Sequence, residues 1–399
     1  MTATIVARQD VRAASTATYA AFIGSGFAFA SWASRIPQVR DGLGLDPGTL
    51  GLVLLAIAAG SLLALPLSGP VVSRIGSSRT VLAMAVLLGV GLTIAALGAM
   101  TSVVPVVIGL FLLGFANGAW DVAMNVQGTV VERRLGRSIM SRFHAGFSLG
   151  TVAGALIGAA MVALHVPVAA HLIVVAVLVV AGVTWQARRF IPDESSAEDS
   201  SQGSALTAWK EPRTLLIGVF VLAFAFAEGV GNDWTSVAAI DGYHVSPALG
   251  TLAFAAFLTA MTVGRWFGPA LLDRYGRTPV VRVLALIGVV GLALFVFGPA
   301  PVYAYAGTLL WGLGASLGFP VGMSAGGDDP RRAAGRVSVI ASIGYCAFLA
   351  GPPTIGFLGD HVTVLRALLT VAVLLGVAAL VSPSVRPLES EPGRVQGTL

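Results

Sequence analysis

Long apolar runs broken by short polar turns recur from one end of the chain to the other. Twelve of them fall near 16–37, 47–68, 80–98, 103–130, 137–162, 167–187, 213–238, 247–270, 279–298, 302–325, 336–358 and 364–382. Each is roughly 20 residues or more, enough to cross a ~30 Å hydrocarbon core as a helix. Closed barrels also span bilayers, but they show short alternating segments instead. The pattern therefore predicts an all-α membrane protein with twelve transmembrane helices. Arg8 and Arg12 precede the first run, and no small-residue cleavage site follows a short apolar core. That reads as a retained first helix rather than a signal peptide.

The polar breaks give the topology. Of 24 Arg and Lys residues, 20 fall in loops on the side of the termini. Three (Arg35, Arg40 and Arg366) fall on the other side, and Arg265 lies inside the end of span 8. The positive-inside bias places both termini in the cytoplasm. The longest polar stretch, 189–212, contains Asp193-Glu194-Ser195-Ser196-Ala197-Glu198-Asp199-Ser200-Ser201. Its acid and serine content predicts a mobile cytoplasmic linker. It divides the chain into a six-helix bundle over 1–188 and a second over 213–383, with a polar tail over 384–399.

Composition agrees. Of 399 residues, 56% are hydrophobic and 11% charged, against about 25% charged in soluble domains. The net charge of +5 resides in short turns, with no basic domain that would call for nucleic acid. Cys346 is the only cysteine, which excludes an intrachain disulfide. No metal-ligand cluster, nucleophile motif or phosphate-binding loop stands out, so neither an enzyme nor a cofactor is expected. Arginine almost wholly replaces lysine, which with the Ala and Gly richness points to a bacterial cytoplasmic (inner) membrane. The expected partners are the lipid bilayer, a small-molecule substrate and protons, with the chain acting as a monomer.

The halves repeat at a spacing near 200. Ser73-Arg74-Ile75-Gly76 after span 2 matches Asp273-Arg274-Tyr275-Gly276 after span 8. Gly114 and Gly118 match Gly314 and Gly318, Asp46-Pro47 matches Ser246-Pro247, and Trp32-x-Ser34 matches Trp234-x-Ser236. Two related bundles in parallel orientation place a substrate site near the midplane between them. The loop pattern resembles the cytoplasmic signature of the major facilitator superfamily. Asp273, Arg274, Gly276 and Arg277 carry it in the second copy; Arg74 and Gly76 carry it in the first, where Ser73 stands for the usual aspartate. The resemblance implies a cytoplasmic gate in which Asp273 faces Arg137 or Arg142 at the start of span 5.

Three acids fall inside spans: Asp121 in span 4, and Glu228 and Asp233 in span 7. An acid at a helix centre costs ~2.5–3.5 kcal/mol on insertion scales, so it faces water, a partner or a proton. Asn117, Asp121 and Asn125 are spaced four apart and share one helical face. Counted from the turn at Glu132, Asp121 and His144 reach similar depth, as do Asn117 and Ser148. Asp121 followed four positions on by Asn125 also resembles the fucose-permease-like branch of the superfamily, as more loosely do Arg35-Ile36-Pro37 and Phe143-His144. That resemblance implies a sugar-like solute moving with a proton carried on Asp121. The acid which that branch bears on helix 1 is missing here: either one carboxylate suffices, or Glu228 or Asp233 has taken over, or the chain is not proton-coupled. Glu228 and His144 join Asp121 as the proton-coupling candidates. Arg35, Asn232, Asp233 and Tyr345 complete the expected substrate face, and Trp32, Trp234 and Trp311 are candidate stacking platforms. The ladder Gly146-Gly150-Gly154-Gly158 in span 5 predicts close helix packing. The competing function is proton-coupled export of amphipathic compounds or antibiotics. Drug exporters of the superfamily carry Gly-Pro in span 5, where this chain reads Gly150-Thr151.

Overall fold

The computed structural model describes residues 2–136, 139–193, 205–329 and 332–388. Their regular structure is helical. In chain order the helices are α1 (Thr2–Ala33), α2 (Ile36–Leu43), α3 (Pro47–Ile75), α4 (Ser77–Gly98), α5 (Val103–Leu135), α6 (Met140–Ala163) and α7 (Val168–Ala187). After α8 (Ala205–Ala208) come α9 (Pro212–Tyr243), α10 (Pro247–Tyr275), α11 (Arg277–Phe297), α12 (Pro301–Ala315), α13 (Gly318–Gly326), α14 (Ala333–His361), α15 (Val364–Ala367) and α16 (Leu369–Val381). Among the described residues, eleven helices are long and apolar enough to cross a membrane. The twelfth span is α1, which Thr16, Thr18, Ser25 and Ser31 make less apolar.

Repeated turn chemistry sets the boundaries. Asp46 accepts a hydrogen bond from the Thr49 amide at the start of α3, and Ser246 accepts one from Leu249 at the start of α10. Proline follows each cap, where a missing N–H costs nothing. The sharp entries to α4 and α11 use Gly76 (φ 86°) and Gly276 (φ 80°), a backbone region that glycine tolerates best.

In the first half α1 packs on α6 and α7, α3 on α5, and α4 on α5 and α7. In the second half α9 packs on α10, α14 and α16, while α12 packs on α10 and α11. The halves meet through α3 against α14 and α6 against α10. The glycine ladder seats α6 on α1 as expected: a Cβ at Gly150 would collide with the Ile23 carbonyl, and one at Gly154 with that of Phe27.

Three features depart from the expected layout. The first span ends at Ala33, and after a two-residue turn the chain forms the short amphipathic α2. Span 10 breaks into α12 and α13 at Ser316-Leu317, where the side chain of Phe224 occupies the space beside Gly318. The stretch expected to be mobile is partly docked. Asp193 accepts hydrogen bonds from both the amide and the hydroxyl of Ser77 at the start of α4. α8 lies against α14, and residues 194–204 of that stretch are outside the described residues.

Glu211, just before α9, ties that helix to the start of α14. Its carboxylate accepts from Arg336 Nε (2.6 Å), from Thr214 Oγ1 (2.8 Å) and from Arg332 (3.3 Å). The Arg336 hydrogen bond is the chief reason that its pKa lies below the ordinary glutamate value. A depressed carboxylate stabilises the fold above the unfolded pKa, about 4.3, and that contribution is lost as pH falls through the folded value. Glu211→Gln should therefore lower thermal stability at pH 7 by about 1 kcal/mol. The gap from wild type in detergent melts should begin to narrow below the unfolded value, about pH 4.3, and shrink further as pH falls through the folded one; a gap that does not narrow with acid would remove the ionic explanation.

Candidate functional site

The polar face of α5 stays open. Asn117, Asp121 and Asn125 are half-buried among buried neighbours such as Ala116, Trp120 and Met124. Ser25 Oγ on α1 donates to Asn117 Oδ1 at 2.8 Å. Asn125 Nδ2 donates to the Asp121 carbonyl at 2.8 Å and to its Oδ1 at 3.3 Å. Asp121 makes no ion pair among the described residues. Across from it, Tyr345 on α14 lies within electrostatic reach. On that helix Ser338, Ser342 and Cys346, spaced four apart, are all exposed. A lipid-facing stripe would be large and apolar, as on α11 with Val283, Leu286 and Val290. Small polar residues mark a face turned to water.

The second polar cluster lies on α9 and α10. Arg265 Nη2 donates to Glu228 Oε2 at 2.7 Å, and Arg265 Nε donates to the Ser316 carbonyl at 3.3 Å. That carbonyl is available because the helix breaks between α12 and α13, which leaves backbone acceptors unspent. His144 on α6 is exposed, sits edge-on to Phe22 at 5.1 Å, and feels the charge of Arg265. Asn232 and Asp233 are half-buried on α9, and Asn232 Oδ1 has no partner among the described residues. Ser148 is buried on α6.

Some candidates sit elsewhere. Trp32, Trp234 and Trp311 are at most 1% exposed and belong to the packed interior, Trp311 against Phe257 and Phe295. None offers a ring face to a ligand. Arg35 is buried within the first half, donating to His171 Nδ1 at 2.9 Å and to the Val166 carbonyl at 3.0 Å; it anchors α1 to α7 and does not line the polar face. Asp121 and His144 share no bond among the described residues, because α6 packs on α1 and α10 far more than on α5.

The expected gate contacts are not made among the described residues. Arg74, Asp273, Arg274 and Arg142 are exposed, and none bonds to the opposite half among the described residues. Arg277 is held by Asp328 and Ser324 of its own half, Gly76 serves as the α4 cap, and Arg137 lies outside the described residues. The halves are tied instead at the ends remote from the termini. There Arg40 on α2 grips Asp241 on α9 with both terminal nitrogens, one at 3.0 Å, and Asp41 with Nε at 2.8 Å. The Gly48 amide donates to Asp360 at 3.1 Å, and Gly51 lies directly against the Pro352 backbone. Asp41 and Asp241 are repeat-related at the spacing of 200, a signal available in the sequence. Arg265 was also visible there, since an arginine inside a span is functional by default.

A family model of the Major Facilitator Superfamily matches residues 17–352 and 238–397. An MFS-type transporter of Yersinia pestis is 31% identical over 359 residues, covering 90% of this chain and 92% of its own. The chain belongs to the major facilitator superfamily. A transporter of Sinorhizobium fredii is similar at 29% identity, over 91% of this chain and 96% of its own. Among solved structures, the nucleoside transporter NupG is similar with a TM-score of 0.70 at 14% identity, covering 92% of this chain and 98% of that one. A variant of the Escherichia coli fucose:proton symporter FucP gives 0.64 at 16%, covering 93% and 98%. These likenesses establish the fold. The protein is thus a major facilitator superfamily transporter, and the contacts above describe one with its halves closed at the remote end.

Asp241→Asn should loosen that closure. One ion pair of this exposure is worth about 1 kcal/mol or less, up to a roughly fivefold population shift. Spin labels at Thr101 and Tyr303 in a Cys346→Ser background would read it as a larger long-distance population. An unchanged distribution would show that Arg40 plays no part in the closure.

Proposed function

We propose that this transporter carries a small, hydroxyl-rich, sugar-like solute across the bacterial cytoplasmic membrane by alternating access, in symport with a proton on Asp121. The observation that carries the reading is Asp121 itself: an acid midway along α5, half-open and, among the described residues, bonded only by Asn125 and without a cation. An acid there is costly when charged, and a proton removes that cost while the halves close around it. Asn117, Asn125, Asn232 and Tyr345 supply neutral donors and acceptors suited to hydroxyl groups. Glu228 is already satisfied by Arg265 and His144 faces the same charge, so both fit a supporting role in proton movement and leave Asp121 as the primary carrier. The arginine bias puts the termini in the cytoplasm, which makes the described state open inward. Two structural neighbours are a fucose:proton symporter and a nucleoside transporter; both solutes contain a sugar ring.

The test is uptake into proteoliposomes under an imposed pH gradient, competed with sugars, sugar acids, nucleosides and amphipathic drugs. Competition by ring-hydroxyl solutes, with accumulation that collapses when the gradient is dissipated, supports the reading. Competition by amphipathic drugs alone would replace it with export.

A further inference from the structure

Where α11 starts, the last described residues fold back beside it and leave a cavity of about 360 Å³ lined by Gly276, Arg277, Thr278, Arg282 and Arg386. It lies on the side of the termini, at the end of a membrane-spanning helix. Three guanidiniums border it. Arg277 is bonded to Asp328 at 2.7 Å, but Arg213 shares the same carboxylate at 3.0 Å. Arg282 is oriented by the Ser382 hydroxyl (3.0 Å) and the Ala379 carbonyl (3.2 Å), through Nε alone. Its two terminal nitrogens, and the whole guanidinium of exposed Arg386, have no partner among the described residues. The N-terminus of α11 opens on the same space with glycine at its cap and no side-chain cap bond. The Thr278 hydroxyl there is buried without a partner among the described residues. Asp273, a turn earlier on α10, is exposed and does not line the cavity. The site is a concave, net-positive pocket rich in donors, which is the chemistry of phosphate recognition.

The surroundings say which phosphate. Directly beyond Arg282 on α11, Val283, Leu286 and Val290 are 55%, 49% and 58% exposed. Their spacing of three and four makes one continuous apolar stripe running from the pocket into the hydrocarbon. We infer that the pocket binds the phosphodiester headgroup of an anionic phospholipid in the leaflet on the side of the termini, with its acyl chains laid along that stripe. A soluble phosphate uses the guanidiniums but not the stripe.

Purified full-length protein in detergent, mixed with equimolar phosphatidylglycerol and phosphatidylcholine, tests this by native mass spectrometry. Wild type should retain phosphatidylglycerol preferentially. Arg386→Gln should cut that preference about fivefold, equivalent to about 1 kcal/mol per arginine near an anionic surface. R282Q/R386Q should abolish it while millimolar glycerol 3-phosphate fails to displace the lipid from wild type. Arg386→Gln removes no described side-chain bond, so it carries the test even if the double variant does not fold. Equal retention of both lipids by wild type, or an undiminished preference in Arg386→Gln, overturns the site. Displacement by glycerol 3-phosphate overturns its assignment to lipid.

Discussion

Proteoliposomes carrying Asp121→Asn should exchange solute at close to the wild-type rate yet fail to concentrate it. Asparagine has nearly the shape of a protonated aspartate, so the loaded carrier can still close and reopen around its solute. It cannot release a proton, so the solute flux is uncoupled from the gradient. With one proton per solute, an interior one pH unit more alkaline supplies about 1.4 kcal/mol and about tenfold accumulation. The variant should reach a ratio near one, a loss of about tenfold that grows with the gradient. Counterflow and gradient-driven uptake, measured in the same vesicles, separate this outcome from misfolding, which removes both. Accumulation by Asp121→Asn at the wild-type ratio would end the assignment of the proton to this side chain.

Arg265→Leu should destabilise the protein by about 2 kcal/mol, because it strands Glu228 among apolar helices. Removing one member of a buried ion pair costs about 3–5 kcal/mol. The lower figure applies because the two side chains retain 28% and 19% of their exposure. The variant also deprives the Ser316 carbonyl of its donor. In detergent melts R265L/E228Q should recover most of the loss, since the stranded charge has gone, but not the part owed to the helix break. If the double variant melts no higher than the single one, the pair is not what holds α9 to α10.

The spans were legible because lipid imposes a rule that sequence cannot evade: every crossing must be long, apolar and internally bonded. The paired caps at Asp46 and Ser246 were legible for a local reason, each bond closing within three residues. Asp121 stood out as a charge in an apolar run, and helical spacing put Asn117 and Asn125 on its face. The partners of these groups were not legible. Periodicity gives depth and direction around one helix, not which neighbour stands opposite. Helices 5 and 6 adjoin in sequence yet diverge in space, so the similar depth counted for Asp121 and His144 brought no bond between them, and His144 lies within electrostatic reach of Arg265 instead. The indoles of Trp32, Trp234 and Trp311 misled because an aromatic ring fills a core and floors a binding site equally well. The break at Ser316 lies beside Gly318, whose missing side chain makes room for Phe224 from a helix more than 90 residues away in sequence, a contact invisible to any local signal.

The serine stripe on α14 ends in the molecule's one thiol. Cys346 adjoins Tyr345 and is exposed on the water-facing side of its helix. An environment-sensitive maleimide therefore attaches to the unaltered chain at one known place, a residue from Tyr345, which lies within electrostatic reach of Asp121. Its fluorescence would follow closing and opening in real time, with no engineered reporter to disturb the equilibrium being watched.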